Sequence, residues 1–508
     1  MAREGGAITS RYIEEEMNEI MKRRVFLKNV AAGAVLLAAP GVEGVPESER
    51  RRPNIVYVFP DQLRASALGY AGDPNAKTPH IDRLAEESVN FRNTVAVCPV
   101  CTPYRAALMT GRFPTTTGMF LNDLHLPSKE LCMPEIFADA GYDTGYIGKW
   151  HLDGHGRDSF IPPARRQGWE YWKAAECDHN NYDSHYYTGD SEEKRVWEGY
   201  DVFAQTGAAR RYIREHAGGD RPFILMLSYG PPHPASRDAP DDYIAQYAEE
   251  DVEPPANVPP EERDAARRRL CDYYAHVTAI DHCVGELLET LEETGAAEDT
   301  IFVFTSDHGS MLFSHGLPQH WKQVAYGESA HVPFLLRYPA AHGSQGRTVC
   351  TPLNTPDILP TLLGLAGIEV PASVEGENLS ALVTEGGEIP GRAALYMSVA
   401  PFNYGLGAYR AVRTDRYTYV RNREGPWLLF DDREDPHQME NLVDKDEHQS
   451  TRRELDEKLQ AELDKIGDDF RAPKSYLEEW GYEVNEWGAI RYGGDPDPQT
   501  PRGEVDYS

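Results

Sequence analysis

Three uninterrupted apolar runs, rich in β-branched and aromatic residues, constrain the fold of this chain more than any other feature. They are Asn54-Ile55-Val56-Tyr57-Val58-Phe59, Phe223-Ile224-Leu225-Met226-Leu227-Ser228 and Thr300-Ile301-Phe302-Val303-Phe304-Thr305. Runs of this length without polar alternation belong to strands buried on both faces, the state of a parallel sheet. Each run leads into polar, ionisable residues: Asp61-Gln62 after the first, Pro231-Pro232-His233 after the second, Ser306-Asp307-His308-Gly309 after the third. Helical patterns over 78–87, 134–140 and 273–291 separate the runs, so strand and helix alternate. The expected fold is α/β, a doubly wound, mostly parallel sheet, and ligands in such sheets bind beyond the carboxyl ends of the strands.

From about residue 390 the pattern changes to short, partly alternating runs over 393–398, 409–413, 417–421 and 427–430. These predict a smaller C-terminal antiparallel sheet, followed by one charged helix over 451–465. The expected organisation is a leader over 1–52, an α/β domain over 53–390, an α+β subdomain over 391–470, and a polar tail over 471–508 that is loosely ordered.

The leader carries Met21-Lys22-Arg23-Arg24-Val25-Phe26-Leu27-Lys28 and then a small-residue apolar run over 30–39. This reads as an export signal whose Arg23-Arg24 pair resembles a twin-arginine address, with translation starting at Met21. The apolar run is too short for a permanent membrane span. The expected partners therefore include the twin-arginine export machinery, and the expected location is periplasmic or extracellular. With 51 Lys+Arg against 82 Asp+Glu and a net charge of −31, bulk charge excludes a nucleic-acid partner. Seven cysteines in 508 residues argue against a disulfide-built scaffold.

The most informative stretch is Cys98-Pro99-Val100-Cys101-Thr102-Pro103-Tyr104-Arg105, continuing to Thr110-Gly111-Arg112. Taken alone, Cys98 and Cys101 suggest a redox pair or half of a zinc site, but no matching Cys/His spacing lies nearby to complete the zinc set. The remaining frame, Cys-x-Pro-x-Arg with a downstream Thr-Gly-Arg, resembles the sulfatase family of the alkaline-phosphatase superfamily. The resemblance continues through Gly141-Tyr142-Asp143-Thr144-Gly145-Tyr146-Ile147-Gly148-Lys149-Trp150-His151, through Thr305-Ser306-Asp307-His308-Gly309, and to Asp435-Pro436 and Glu440-Asn441-Leu442. It implies an alkaline-phosphatase-like fold and a sulfuric ester hydrolase that cleaves sulfate monoesters. It also implies oxidation of Cys101 by a formylglycine-generating enzyme, the hydrated aldehyde then being the nucleophile. Tyr104 departs from the usual Ser.

Carried over residue by residue, the resemblance assigns Asp61, Gln62, Asp307, His308 and the modified Cys101 to a metal site, normally calcium. Gln62 and His308 replace an Asp and an Asn, which keeps manganese or another divalent ion in play. The same two departures are similar to phosphonate monoester hydrolases and phosphodiesterases, the alternative activity. Catalytic positions are Cys101, Arg105, Lys149, His151, His233, Asp307 and Lys322, with Asp307 as base and His151 as a later proton acceptor. In a chain with about a dozen lysines, Lys149 and Lys322 both fall in motif regions. A divalent ion and clustered cations would reverse the field of an acidic protein locally, and a helix opening near Thr102 would add its positive end.

For substrate, the loops over 153–166 and 175–190 offer His155, His179, Asn180, Asn181, His185, Tyr186 and Tyr187, and Trp321 stands beside Lys322. Lys149, His233, Lys322, His155, His185 and Trp321 are the expected substrate contacts, suited to a sulfated carbohydrate. Choline sulfate and aryl sulfates remain alternatives.

Overall fold

The computed structural model describes residues 52–233, 238–403 and 405–490. The leader, with its twin-arginine-like signal, and the end of the tail lie outside the described residues.

Ten strands form one twisted sheet: β1 (Asn54–Pro60), β2 (Val89–Phe91), β4 (Asp143–Lys149), β5 (Tyr171–Ala175), β6 (His185–Thr188), β7 (Arg195–Val196), β8 (Phe223–Tyr229), β9 (Thr300–Thr305), β10 (Phe334–Arg337) and β11 (Arg347–Val349), while β3 (Thr94–Val95) pairs with β12 (Leu353–Asn354). Their spatial order is β11-β2-β10-β9-β1-β8-β4-β5-β6-β7. The central neighbours β9, β1, β8, β4 and β5 are all parallel, with Val56 opposite Leu225 and Phe302 in the middle of the register. Antiparallel strands enter only toward the edges, where β10 pairs with β9 and β2 on one side and β6 pairs with β5 on the other. The three apolar runs are thus the three adjacent strands β9-β1-β8, and β4 completes the group.

Alternation within β1 shows why both faces must be covered. Ile55, Tyr57 and Phe59 join one core with the helix Cys101–Thr110 and the helix Thr355–Leu365. Val56 and Val58 join a second core with the helices Asp201–His216 and Arg263–Glu293. A strand buried on both sides has no solvent face to mark in sequence, hence the continuous apolar runs.

The C-terminal part forms an antiparallel sheet in the order β13-β14-β15-β16, comprising Ala394–Ser398, Tyr409–Arg413, Tyr417–Asn422 and Gly425–Asp431. The helix Gln449–Ile466 follows, its Leu455, Leu459 and Leu463 buried at helical spacing. Tyr409 and Tyr396 in this sheet donate hydrogen bonds to the carbonyls of Val324 and Ala325, so the sheet braces the segment just after Lys322.

The tail departs from expectation. Residues 473–480 form a helix, and buried Tyr476 donates to Asp468 while accepting from Arg410. Trp480 lies against Gly118, and Val484 bridges Ile490 in an antiparallel pair. Its polar composition concealed a few apolar anchors, which suffice to fix a segment whose polar residues face water.

Candidate active site

Four adjacent strand ends supply the chemistry. Asp61 follows β1, Asp307 and His308 follow β9, His233 follows β8 through a short turn containing a cis Pro231–Pro232 bond, and Lys149 closes β4 with His151 just beyond it. Gly148 is required where it stands: its φ is +101°, and a Cβ there would lie 1.9 Å from the carbonyl oxygen of Ser228. That close approach of β4 to β8 sets Lys149 and His151 beside the other strand ends.

Cys101 opens a ten-residue helix that is buried throughout, and its sulfur lies at the helix's positive end. Asn122 caps this helix from outside, accepting from the Thr102 amide at 3.0 Å. Around the Cys101 sulfur stand Asp61 Oδ2 at 3.4 Å, His308 Nε2 at 3.3 Å, Lys322 Nζ at 3.4 Å and Lys149 Nζ at 3.8 Å. Tyr104, the departure in the motif, points away into the core, its hydroxyl 3.3 Å from that of Tyr57.

Asp61, Cys101, Asp307 and His308 are all buried and bring four potential ligand atoms within 4.8 Å of one another. Burial first and the Asp61 charge second hold the Asp307 carboxyl above its ordinary range. Burial works the same way on Asp61, but the Lys149 charge outweighs it and holds that carboxyl well below the range. Two buried carboxylates and an imidazole converging on one point are a donor set that fits a divalent cation, whose charge would relieve the strain on Asp307. Gln62 is placed differently from the other expected ligands. Its Nε2 donates to Ser310, its Oε1 accepts from Lys322 at 3.3 Å, and its backbone N–H holds Asp307 Oδ1 at 3.0 Å.

A cavity of about 500 Å³ opens above these groups, with Gln62, Cys101, Lys149, His151, His233 and Lys322 among its lining residues. A family model described as Sulfatase matches residues 53–368, and one described as N-sulphoglucosamine sulphohydrolase, C-terminal, matches residues 315–465. The chain belongs to the sulfatase family. It is similar to an ulvan-active sulfatase of Formosa agariphila, 48% identical over 86% of each chain, and to an endo-4-O-sulfatase of Bacteroides thetaiotaomicron, 30% identical over 81% of this chain and 92% of that one. A solved structure from work on glycosaminoglycan metabolism by Bacteroides thetaiotaomicron shares 28% identity and superimposes with a TM-score of 0.75, covering 84% of this chain and 99% of the other. The sulfatase is therefore a sulfuric ester hydrolase with the alkaline-phosphatase-like architecture.

In this sulfatase the expected cations are not equivalent. Arg105 lies under the site: its Nη1 donates to the Lys149 carbonyl at 2.6 Å and to Ser228 at 2.7 Å, and its Nη2 donates to Asp307 at 3.1 Å. It is absent from the cavity lining, so it positions Asp307 and the end of β4. Lys149 Nζ donates to Asp61 at 2.6 Å, and burial, which would discharge this amine, is outweighed by the Asp61 charge, which raises its pKa. His151 gives Nε2 to Asp123 Oδ1 at 2.8 Å and leaves Nδ1 buried without a hydrogen-bond partner among the described residues. His233 likewise leaves Nδ1 buried without such a partner, and burial together with Lys322 holds its pKa well below the ordinary value.

Three of the expected substrate contacts are not in the cavity. His155 packs its Nδ1 on the Asp153 carbonyl at 2.5 Å, His185 places Nδ1 on Asp178 at 2.5 Å, and Trp321 is a partly buried neighbour of Lys322, where His320 lines the cavity instead. These loop histidines are held in internal hydrogen bonds, which the sequence could not distinguish from ligand contacts. Sequence reasoning also missed Asn122, Asp123, Arg157, Phe402 and Trp487. Asp123 carries no motif, yet it orients His151 and pairs with Arg157 at 3.2 Å. Five residues close to the site, Gln62, Asp123, His151, Leu312 and Gln323, take left-handed backbone conformations without being glycine. Such strain concentrates at functional sites, but sequence does not display it. A second thiol, Cys177, is also held near the site; Lys149 and His151 overcome the effect of burial and draw its pKa well below the ordinary value.

Proposed function

We propose that this sulfatase removes sulfate from a sulfated polysaccharide of the ulvan class, using Cys101 converted to formylglycine and a divalent cation. The observation that carries the reading is the ring of Lys149, Lys322, His151 and His233 around Cys101 at the floor of a 500 Å³ cavity. Two buried ammonium groups within 3.8 Å of one sulfur atom are an anion cradle, and a cavity of this volume admits much more than the anion alone. The 48% identity to an ulvan-active sulfatase points to the same class of sugar chain.

When present, formylglycine supplies an oxygen nucleophile in its hydrated form, and the cation supplies positive charge at the sulfate oxygens. Asp61, Asp307 and His308 would hold that cation with the modified Cys101. Calcium is the ion proposed first, and the nitrogen of His308 keeps manganese or another divalent ion as its competitor. Lys149 and Lys322 orient the sulfate through Nζ. Asp307 takes the first proton, and Lys322 Nζ, beside His233, supplies one to the departing alcohol oxygen. His151, with Nε2–H held by Asp123, accepts on Nδ1, in its neutral form, the proton whose removal returns the site to its starting state. Oxidation of Cys101 by a formylglycine-generating enzyme, export by the twin-arginine machinery and a periplasmic or extracellular location belong to the same proposal.

The test is sulfate release from ulvan oligosaccharides by protein co-produced with a formylglycine-generating enzyme, with Cys101→Ala as control. The Cys101 peptide should weigh about 18 Da less than its unmodified form. Release of sulfate that depends on Cys101 supports the reading. Turnover of a phosphonate monoester, a phosphodiester, choline sulfate or 4-nitrophenyl sulfate in clear preference to the oligosaccharides would replace it.

A further inference from the structure

Trp487 is the most exposed large apolar side chain among the described residues, at 64% of its free surface, yet it lines the cavity whose floor holds Cys101. The floor groups are buried, Lys149 at 6% and Lys322 at 7% exposure, so Trp487 stands at the rim. A single exposed apolar residue needs no explanation by itself, but an indole grouped with Phe402 along the lining of a cavity rimmed by polar residues marks a place where a ligand can lie.

This one is held firmly. The chain around it folds back in a tight turn, with the Asn485 amide donating to Ala489 at 2.9 Å, the Asn485 side chain accepting from Trp487, and Val484 bridging Ile490. Asn403 then clamps the turn, its amide donating to the Trp487 carbonyl and its side chain to the Glu486 carbonyl, both at 2.9 Å. Gly488 permits the clamp, since its φ is +75° and a Cβ there would come within 3.1 Å of the Pro401 carbonyl oxygen. The clamp leads back to the active site. The Phe402 amide donates to Gln323 Oε1 at 3.0 Å, and the Gln323 amide donates to the Pro99 carbonyl at 2.8 Å, two residues before Cys101. Trp487 is therefore fixed in register with the nucleophile's loop and with Lys322, and Phe402 lines the cavity beside this clamp.

We propose that Trp487, backed by Phe402, is a stacking platform for the sugar ring adjoining the sulfated one, making this a sulfatase with a second, chain-reading subsite. The proposal rests on the sulfated-glycan reading above. A sugar ring presents an apolar face of C–H groups bounded by hydroxyls, which suits a rigid aromatic plane with water on its far side. The anion cradle on the floor fixes where the sulfate goes, so a ring stacked at the rim belongs to the next residue of the chain.

Trp487→Ala should raise KM for an ulvan tetrasaccharide about tenfold, an effect of about 1.4 kcal/mol, with kcat changed less than twofold. The preference of the wild type for the tetrasaccharide over a singly sulfated monosaccharide should fall by the same factor, and Trp487→Phe should restore most of it. In the Cys101→Ala background, oligosaccharide binding should quench tryptophan fluorescence, and Trp487→Phe should abolish that quench. Desulfation of the tetrasaccharide with an unchanged KM in Trp487→Ala, or a wild type indifferent to chain length, overturns the platform alone. A wild type that neither desulfates nor binds the oligosaccharides overturns the glycan reading as well.

Discussion

Asp123 accepts a hydrogen bond from His151 Nε2 at 2.8 Å, which fixes the imidazole so that Nδ1 is the nitrogen left for chemistry. Both residues are buried and both take left-handed backbone conformations, so the pair is built into the turns that carry it. Asp123→Asn should lower kcat about 10- to 100-fold with little change in KM, as expected when the group orienting a working imidazole is lost. The pH profile gives a second reading. Burial lowers the His151 pKa, but the Cys177 charge and the Asp123 hydrogen bond carry it up to about 9. If neutral His151 is the working form, the activity limb it controls should move to lower pH in Asp123→Asn. An unmoved limb would remove His151 from the proton-accepting role.

Lys322, from a loop, and Lys149, from the end of β4, both reach the Cys101 sulfur and should contribute mainly to stabilising charge on the transferred group. Replacing either with Ala should lower kcat/KM by about 10²–10³-fold while leaving the Cys101 modification intact. Peptide mass and kinetics measured on the same preparations separate failure to mature from failure to turn over.

Chelation should remove the cation proposed at Asp61, Asp307 and His308, abolishing turnover and lowering Tm, because a ligand that binds only the folded state stabilises it. Reconstitution with calcium should restore both properties. His308→Asn should shift the response further toward calcium and away from manganese, since an oxygen ligand replaces a nitrogen. Thermal scans with each ion added back provide the measurement.

Arg105 ties Asp307 to the end of β4 from a position with 1% exposure. Arg105→Met should destabilise the fold by about 3–5 kcal/mol, the cost of leaving a buried charge without its partner, and should reduce activity through displacement of Asp307 and Lys149. Denaturant unfolding of the variant would show it; a stable variant with full activity would mean that the cation under the site is dispensable.

Asp201 predicts a pH effect on stability away from the chemistry. Burial, only partly offset by the hydrogen bond from Ser184, pushes its pKa up to about 8. A folded-state pKa above the unfolded one gives stability that is complete below the ordinary carboxylate range and lost as pH rises through about 8. Asp201→Asn should therefore flatten the fall of Tm between about pH 4 and pH 8 and raise Tm by a few degrees at about pH 8 and above. Equal slopes in the two proteins would show that Asp201 is not the group responsible.

Much of the central architecture was legible in the chain because parallel strands buried on both faces must be written as continuous apolar runs, and their polar terminators then mark where a site can form. Asp61, His233, Asp307 and His308 were singled out that way, and the resemblance around Cys101 pointed to Lys149, His151 and Lys322; the structure places all of them around one sulfur or cavity. The same resemblance gave Arg105 as catalytic, and the structure places its guanidinium beneath the cavity on Asp307 and the end of β4, a position that a motif does not record.

His155, His185 and Trp321 show the opposite difficulty. Their types suit a sugar, but Asp153 and Asp178 claim the two histidines, and the cavity passes Trp321 to open beside His320. Which carboxylate meets which imidazole depends on loop paths that no local periodicity encodes. Asp123 and Trp487 were invisible for the same reason: one is 28 residues from the histidine it orients, the other 386 positions from the cysteine whose cavity it rims. The sequence by itself determined the layers of the fold and the strand ends, because burial and backbone geometry are local demands repeated along the chain. Only the tertiary structure decided which polar groups face the cavity and which satisfy one another beneath it, because a buried charge takes whichever partner the packed fold brings within hydrogen-bond reach.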